Sequence, residues 1–154
     1  MKDKILKYIK LKPNIGYYDL VKIFGLPLDK LLNLLDITNY KIDKFNNLIF
    51  YDDKDNQIYY EFSDGDWCKY GFDSNGNMIY CYGFDDSWEK YVYDTNDNKV
   101  YSENSSGYWW KREYDTNSNL IYQEDSYGDW CKREYNVDGN CTYEEYSDGN
   151  KHNY

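Results

Sequence analysis

The chain has 154 residues, a formal net charge of -10 and a mean hydropathy of -1.00, and no apolar run approaches the roughly 18 residues of a membrane span. Aromatic residues make up 21% of it, which excludes a disordered chain despite the polar average and implies an aromatic core. The length suits one domain, or a small domain fused to a repeat array.

The N-terminal stretch MKDKILKYIKLKPN has interspersed lysines and no apolar h-region, so no secretion signal is read and a cytoplasmic location is expected. Apolar residues then fall at helical spacing in three runs: Ile5, Leu6 and Ile9; Leu20, Val21 and Phe24; and Leu28, Leu31, Leu32 and Leu35. Pro13, Gly16 and the Gly25-Leu26-Pro27 break separate them, which predicts three short helices over residues 1–38. The segment DLVKIFGLPLDKLLNLL resembles a helix-turn-helix, with a turn at Gly25 and a third helix from Leu28. A DNA-reading helix presents polar side chains to base edges. Here only Lys30 and Asn33 stand among five leucines and two aspartates, so burial of this helix is expected, with those two as the candidate nucleic-acid contacts.

From residue 39 the period changes. Trp67, Trp88, Trp109 and Trp130 are 21 residues apart, and Lys69, Lys90, Lys111 and Lys132 follow each by two places. Tyr80, Tyr101, Tyr122 and Tyr143 keep the same step, and an earlier half-repeat reaches back to Tyr51 and Tyr59. A fixed period of this length marks a repeat architecture. Each repeat holds two short runs rich in Tyr, Trp, Ile and Val, divided by Ser-Asp-Gly-like and D-x-N-x-N turn signals. The predicted fold class is therefore α+β: a small N-terminal three-helix bundle at 1–38, then an antiparallel β-hairpin array at 39–154. About five repeats would give about ten strands in a single-layer or curled twisted sheet.

Catalytic and metal chemistry find little support. The lone His152 lies near the C-terminal end of the sequence, the four cysteines form no C-x-x-C, and only Cys68 and Cys131 share a repeat slot. The D-x-N-x-N turns invite a calcium reading, yet Gly76 stands at the fourth loop position instead of the sixth. The twelfth position holds Phe84, Ser105 or Ser126 in place of Glu. No cofactor, no metal and no enzyme activity are expected.

Charge divides the chain. Residues 1–50 carry nine Lys against five Asp, whereas residues 51–154 carry 23 acids against nine bases. The candidate partner-binding acids are Asp66, Asp86, Glu103, Glu124 and Asp129, and the aromatic candidates are Trp67, Trp88, Trp109 and Trp130. The repeat S-x-G-x-W-x-K-R-E-Y-D-x-N-x-N-x-I-Y resembles the tandem short repeats of small phage and mobile-element proteins. More loosely it resembles the Tyr-Asp repeats of Rhs-type proteins, through Phe72-Asp73, Tyr93-Asp94 and Tyr114-Asp115. The resemblance implies a phage or mobile-element inhibitor of the anti-CRISPR kind. Its expected partner is a host protein with a basic nucleic-acid-binding channel, reached by occlusion or nucleic-acid mimicry. A nucleic-acid-binding regulator using the helices and a glycan- or cell-wall-binding repeat protein are the alternatives.

Overall fold

A computed structural model describes residues 1–154 and places three helices first: α1 (Lys2–Leu11), α2 (Tyr17–Phe24) and α3 (Leu28–Leu34). Asp3 in the first turn of α1 and Lys10 in its last complement the helix dipole. Gly25 ends α2 in the left-handed conformation, φ 62°, a geometry that glycine adopts without steric cost. Twelve strands follow, antiparallel and in chain order. Contacts divide the chain into two compact units, Met1–Ser87 and Trp88–Tyr154. The first holds the helices with β1 (Tyr40–Ile42), β2 (Leu48–Tyr51), β3 (Gln57–Glu61), β4 (Trp67–Phe72) and β5 (Met78–Gly83). The second holds β6 (Trp88–Tyr93), β7 (Lys99–Asn104), β8 (Trp109–Tyr114), β9 (Leu120–Asp125), β10 (Trp130–Tyr135), β11 (Cys141–Tyr146) and β12 (Lys151–Asn153).

The expected fold class, an α+β chain led by a small three-helix bundle, is corrected by this arrangement. Ile5, Leu20 and Leu31 do meet, one from each helix, but they do not complete a bundle. Leu32, Leu28, Tyr17 and Tyr18 pack with Leu48, Phe50, Tyr59 and Trp67, so the helices and the first strands share a core. Helices of ten, eight and seven residues bury too little apolar surface to stand alone and need the sheet to complete their packing. The strands also number twelve, against the ten expected, because a short β1 precedes the repeats and β12 follows them.

The 21-residue period has a hydrogen-bond cause. In each D-x-N-x-N turn the Asp carboxylate accepts the backbone N–H two and four residues on, while its second oxygen accepts the Asn side-chain amide. At Asp115 these bonds come from Asn117 N, Asn119 N and Asn119 Nδ2, each at 2.9 Å. Asp52, Asp73 and Asp94 repeat the pattern. The register shifts beside every such turn, as between Gly71 and Phe72 or between Glu113 and Tyr114. A second tie spans repeats: the N–H groups of Phe84, Ser105, Ser126 and Ser147 donate to the carbonyls of Trp67, Trp88, Trp109 and Trp130 at 2.9–3.0 Å.

Candidate functional site

Side chains alternate along a strand, so Tyr59 and Glu61 of β3 share a face with Trp67 and Lys69 of β4, paired as Tyr59 with Lys69 and Glu61 with Trp67. In the first unit this four-residue cradle holds the N-terminus of α2. Gly16 offers no capping side chain, and Glu61 supplies the cap from the sheet: it accepts Tyr17 N at 2.8 Å and Tyr18 N at 2.9 Å. The Tyr59 hydroxyl adds a third bond at 2.9 Å. Glu61 is fully buried, and burial pushes its carboxyl above the usual range against the pull of its three donors. A Cβ at position 16 would lie 2.3 Å from Glu61 Oε1, so the approach requires glycine there. The Tyr59 ring stacks between Phe50 and Trp67, at 5.0 and 6.1 Å, and Tyr17 meets it edge-on at 5.3 Å.

The repeat builds the same cradle again in the second unit. Tyr101 and Glu103 pair with Lys111 and Trp109, and Tyr122 and Glu124 with Lys132 and Trp130. Lys111 and Lys132 lie 4.8 and 5.1 Å from their Trp ring centres, as Lys69 lies 4.5 Å from Trp67 and Lys90 4.6 Å from Trp88. The difference is cover. Trp67 is 1% exposed, whereas Trp88, Trp109 and Trp130 are half-buried and the lysines beside them exposed.

The acids sort by position. Over residues 51–154 the strands carry nine carboxylates against eight cations, while the turns carry fourteen against one. Asp66 and Asp129 are exposed on turns. Asp86 is exposed too, but its carboxylate accepts Asn14 Nδ2 at 2.6 Å and the Tyr82 hydroxyl. Glu103 and Glu124 are half-buried strand residues of the cradles, not turn acids. Lys30 and Asn33 are exposed on α3, while Leu31 and Leu32 are buried. No group of three or more His, Cys, Asp or Glu side chains is placed to hold a metal ion. Sequence alone does not single out Glu61, and it shows Gly16 only as a break between helices. The available signal was the repeat slot that Glu61 shares with Glu103, Glu124 and Glu145.

No protein-family model matches the chain, and no curated protein does. Among solved structures it is similar to TcdB2-TccC3-TEV, with a TM-score of 0.54 and 12% identity, over 68% of this chain and 6% of that one. It also aligns with a variant of S. aureus TarM in complex with Fondaparinux, alpha-GlcNAc-glycerol and UDP, at 13% identity over 97% of this chain and 27% of that one, but the TM-score of 0.25 carries no argument. The likeness to the first extends to the fold alone, a repeated antiparallel strand meander.

Proposed function

We propose that the chain is a non-enzymatic binding module that occupies a basic, nucleic-acid-binding surface of a protein partner. In the phage or mobile-element setting that the repeat resemblance implies, that partner is a host defence protein and the module its inhibitor. The observation that carries the reading is the sorting of charge into turns. In the second unit alone, the turns hold six Asp and no cation, while the strands hold eight acids against seven bases. Successive turns of an antiparallel meander lie at opposite strand ends, so the acids form two rows. Six-residue strands separate the rows by about 20 Å, and turns recur along each row about every 9.6 Å.

Magnitudes limit what charge does here. Fourteen acids and seven bases leave this unit at -7. Spread over about 29 Å of seven strands, that is one net charge per about 4 Å, against one per about 1.7 Å for duplex DNA. Acidity of this density steers association and excludes acidic competitors. Affinity has to come from the strand face as well.

The test immobilises the full chain and asks which host-lysate proteins it retains. Nucleic-acid-binding proteins are expected, released by added duplex DNA and by rising salt. Asp66→Lys, Asp129→Lys and Asp138→Lys together should abolish retention while leaving the circular dichroism spectrum unchanged. Retention that ignores salt, ignores duplex and survives the triple reversal overturns the reading.

A further inference from the structure

From the occupied cradle we infer that its empty counterpart on β7 and β8, formed by Tyr101, Glu103, Trp109 and Lys111, receives the N-terminus of an α-helix from a partner protein. The chain itself shows what such a cradle takes. Around Glu61 the occupant is a glycine followed by two free backbone N–H groups and an aromatic ring, those of Gly16, Tyr17 and Tyr18. The second cradle has the same four residue types in the same register, Glu103 opposite Trp109 and Tyr101 opposite Lys111. Lys111 stands over Trp109 as Lys69 stands over Trp67. A carboxylate is complementary to the positive end of a helix and to its unpaired N–H groups.

The neighbouring strand says how this occupant differs from α2 and α3. Leu48 and Phe50 lie opposite Glu61 and Tyr59 in the first unit, and Lys90 and Val92 lie opposite Glu103 and Tyr101 in the second. Val92 is 50% exposed, an apolar position left open where Phe50 is buried. The partner helix therefore carries glycine at its start, an aromatic residue next and an apolar side chain for Val92, and a second helix after it, in the place of α3, carries an acid where Leu32 meets the core that contains Leu48.

The probe is a synthetic peptide of residues 14–36, held helical by a lactam between Asp19 and the lysine of Ile23→Lys, titrated into the full chain to about 1 mM, where millimolar affinities are visible. The Trp109 indole N–H resonance is expected to shift. Glu103→Gln in the chain, or Gly16→Ala in the peptide, should weaken binding about tenfold, and Leu32→Glu in the peptide should strengthen it about threefold. The three turn reversals should leave it unchanged, which separates failure here from failure of the proposed function. A silent Trp109 resonance, or a shift indifferent to Glu103→Gln, overturns the inference. So does dimerisation of the full chain that Glu103→Gln abolishes, which would assign the surface to a second copy.

Discussion

Tyr59, Glu61, Trp67 and Lys69 in the first unit and Tyr101, Glu103, Trp109 and Lys111 in the second are the same residue types in the same register, yet they live in different environments. Around Trp67 the sheet is roofed by Tyr17, Tyr18, Leu28 and Leu32, and the cradle becomes a core. Trp109 is only half-buried, with the Lys111 ammonium over its ring. A repeat thus encodes a surface, and a flanking segment decides whether that surface is spent on folding or left for binding.

The largest effect that follows is a contrast between two tryptophans. Trp67→Ala empties a buried site, at a cost of about 3–5 kcal/mol. Trp109→Ala loses a partly exposed ring and one cation–π contact, about 1 kcal/mol. Urea unfolding of both variants measures the gap. Equal costs would mean that the roof contributes little and that each ring is held mainly by its own strand neighbours.

A smaller contrast sharpens the same point at the carboxylates. Glu61→Ala leaves Tyr17 N, Tyr18 N and the Tyr59 hydroxyl without their acceptor in a dry site, so a loss of about 2–4 kcal/mol is expected. Glu124→Ala removes a bond of 3.4 Å from Tyr122 at a half-exposed position and should stay within about 0.5 kcal/mol. Chemical denaturation again decides. A Glu124→Ala loss as large as that of Glu61→Ala would show that the open cradle is already a structural element of the fold.

Sequence reasoning reaches one side of this contrast. Periodicity located the Trp and Lys rows, and Asx chemistry located the turns, because both depend on residues within one hairpin. The roof was not legible. Glu61 meets Tyr17 across 44 positions, and the repeat slot assigns Glu61 and Glu103 identical surroundings. The short helices read as a bundle because their spacing shows one apolar stripe each, while Leu31 and Leu32, adjacent in α3, serve separate cores. The acidic candidates mixed two kinds of residue for a related reason. Net charge is a sum over the chain, and only strand boundaries separate turn acids such as Asp129 from cradle acids such as Glu124.

The smallest expected effect is the control for the comparison, since the D-x-N-x-N turns should not register the roof at all. Asp52, whose turn reads D-D-K-D-N, and Asp115 accept three donors at matching positions, one set in each unit. Hydrogen bonds from Asn56 and Asn119, led by their side-chain amides, hold both carboxyls below the ordinary value of 3.8. A depressed carboxyl stabilises the fold above its unfolded pKa, and that contribution is lost as pH falls through the folded value. Asn136 already occupies this position in the turn after β10, and its oxygen accepts Asp138 N and Asn140 N at 3.0 Å without a charge. Asp52→Asn and Asp115→Asn should therefore each lower the unfolding temperature slightly at neutral pH, by similar amounts. The deficit should shrink as pH falls below the ordinary carboxyl value and vanish once the folded-state aspartates are protonated as well. A deficit that persists at low pH would trace the loss to geometry instead of charge. If Asp52→Asn cost clearly more than Asp115→Asn at a salt concentration that screens Lys54, a neighbour Asp115 lacks, the influence of the helices would reach past the roofed face into the turns, and the two units could no longer be compared slot by slot.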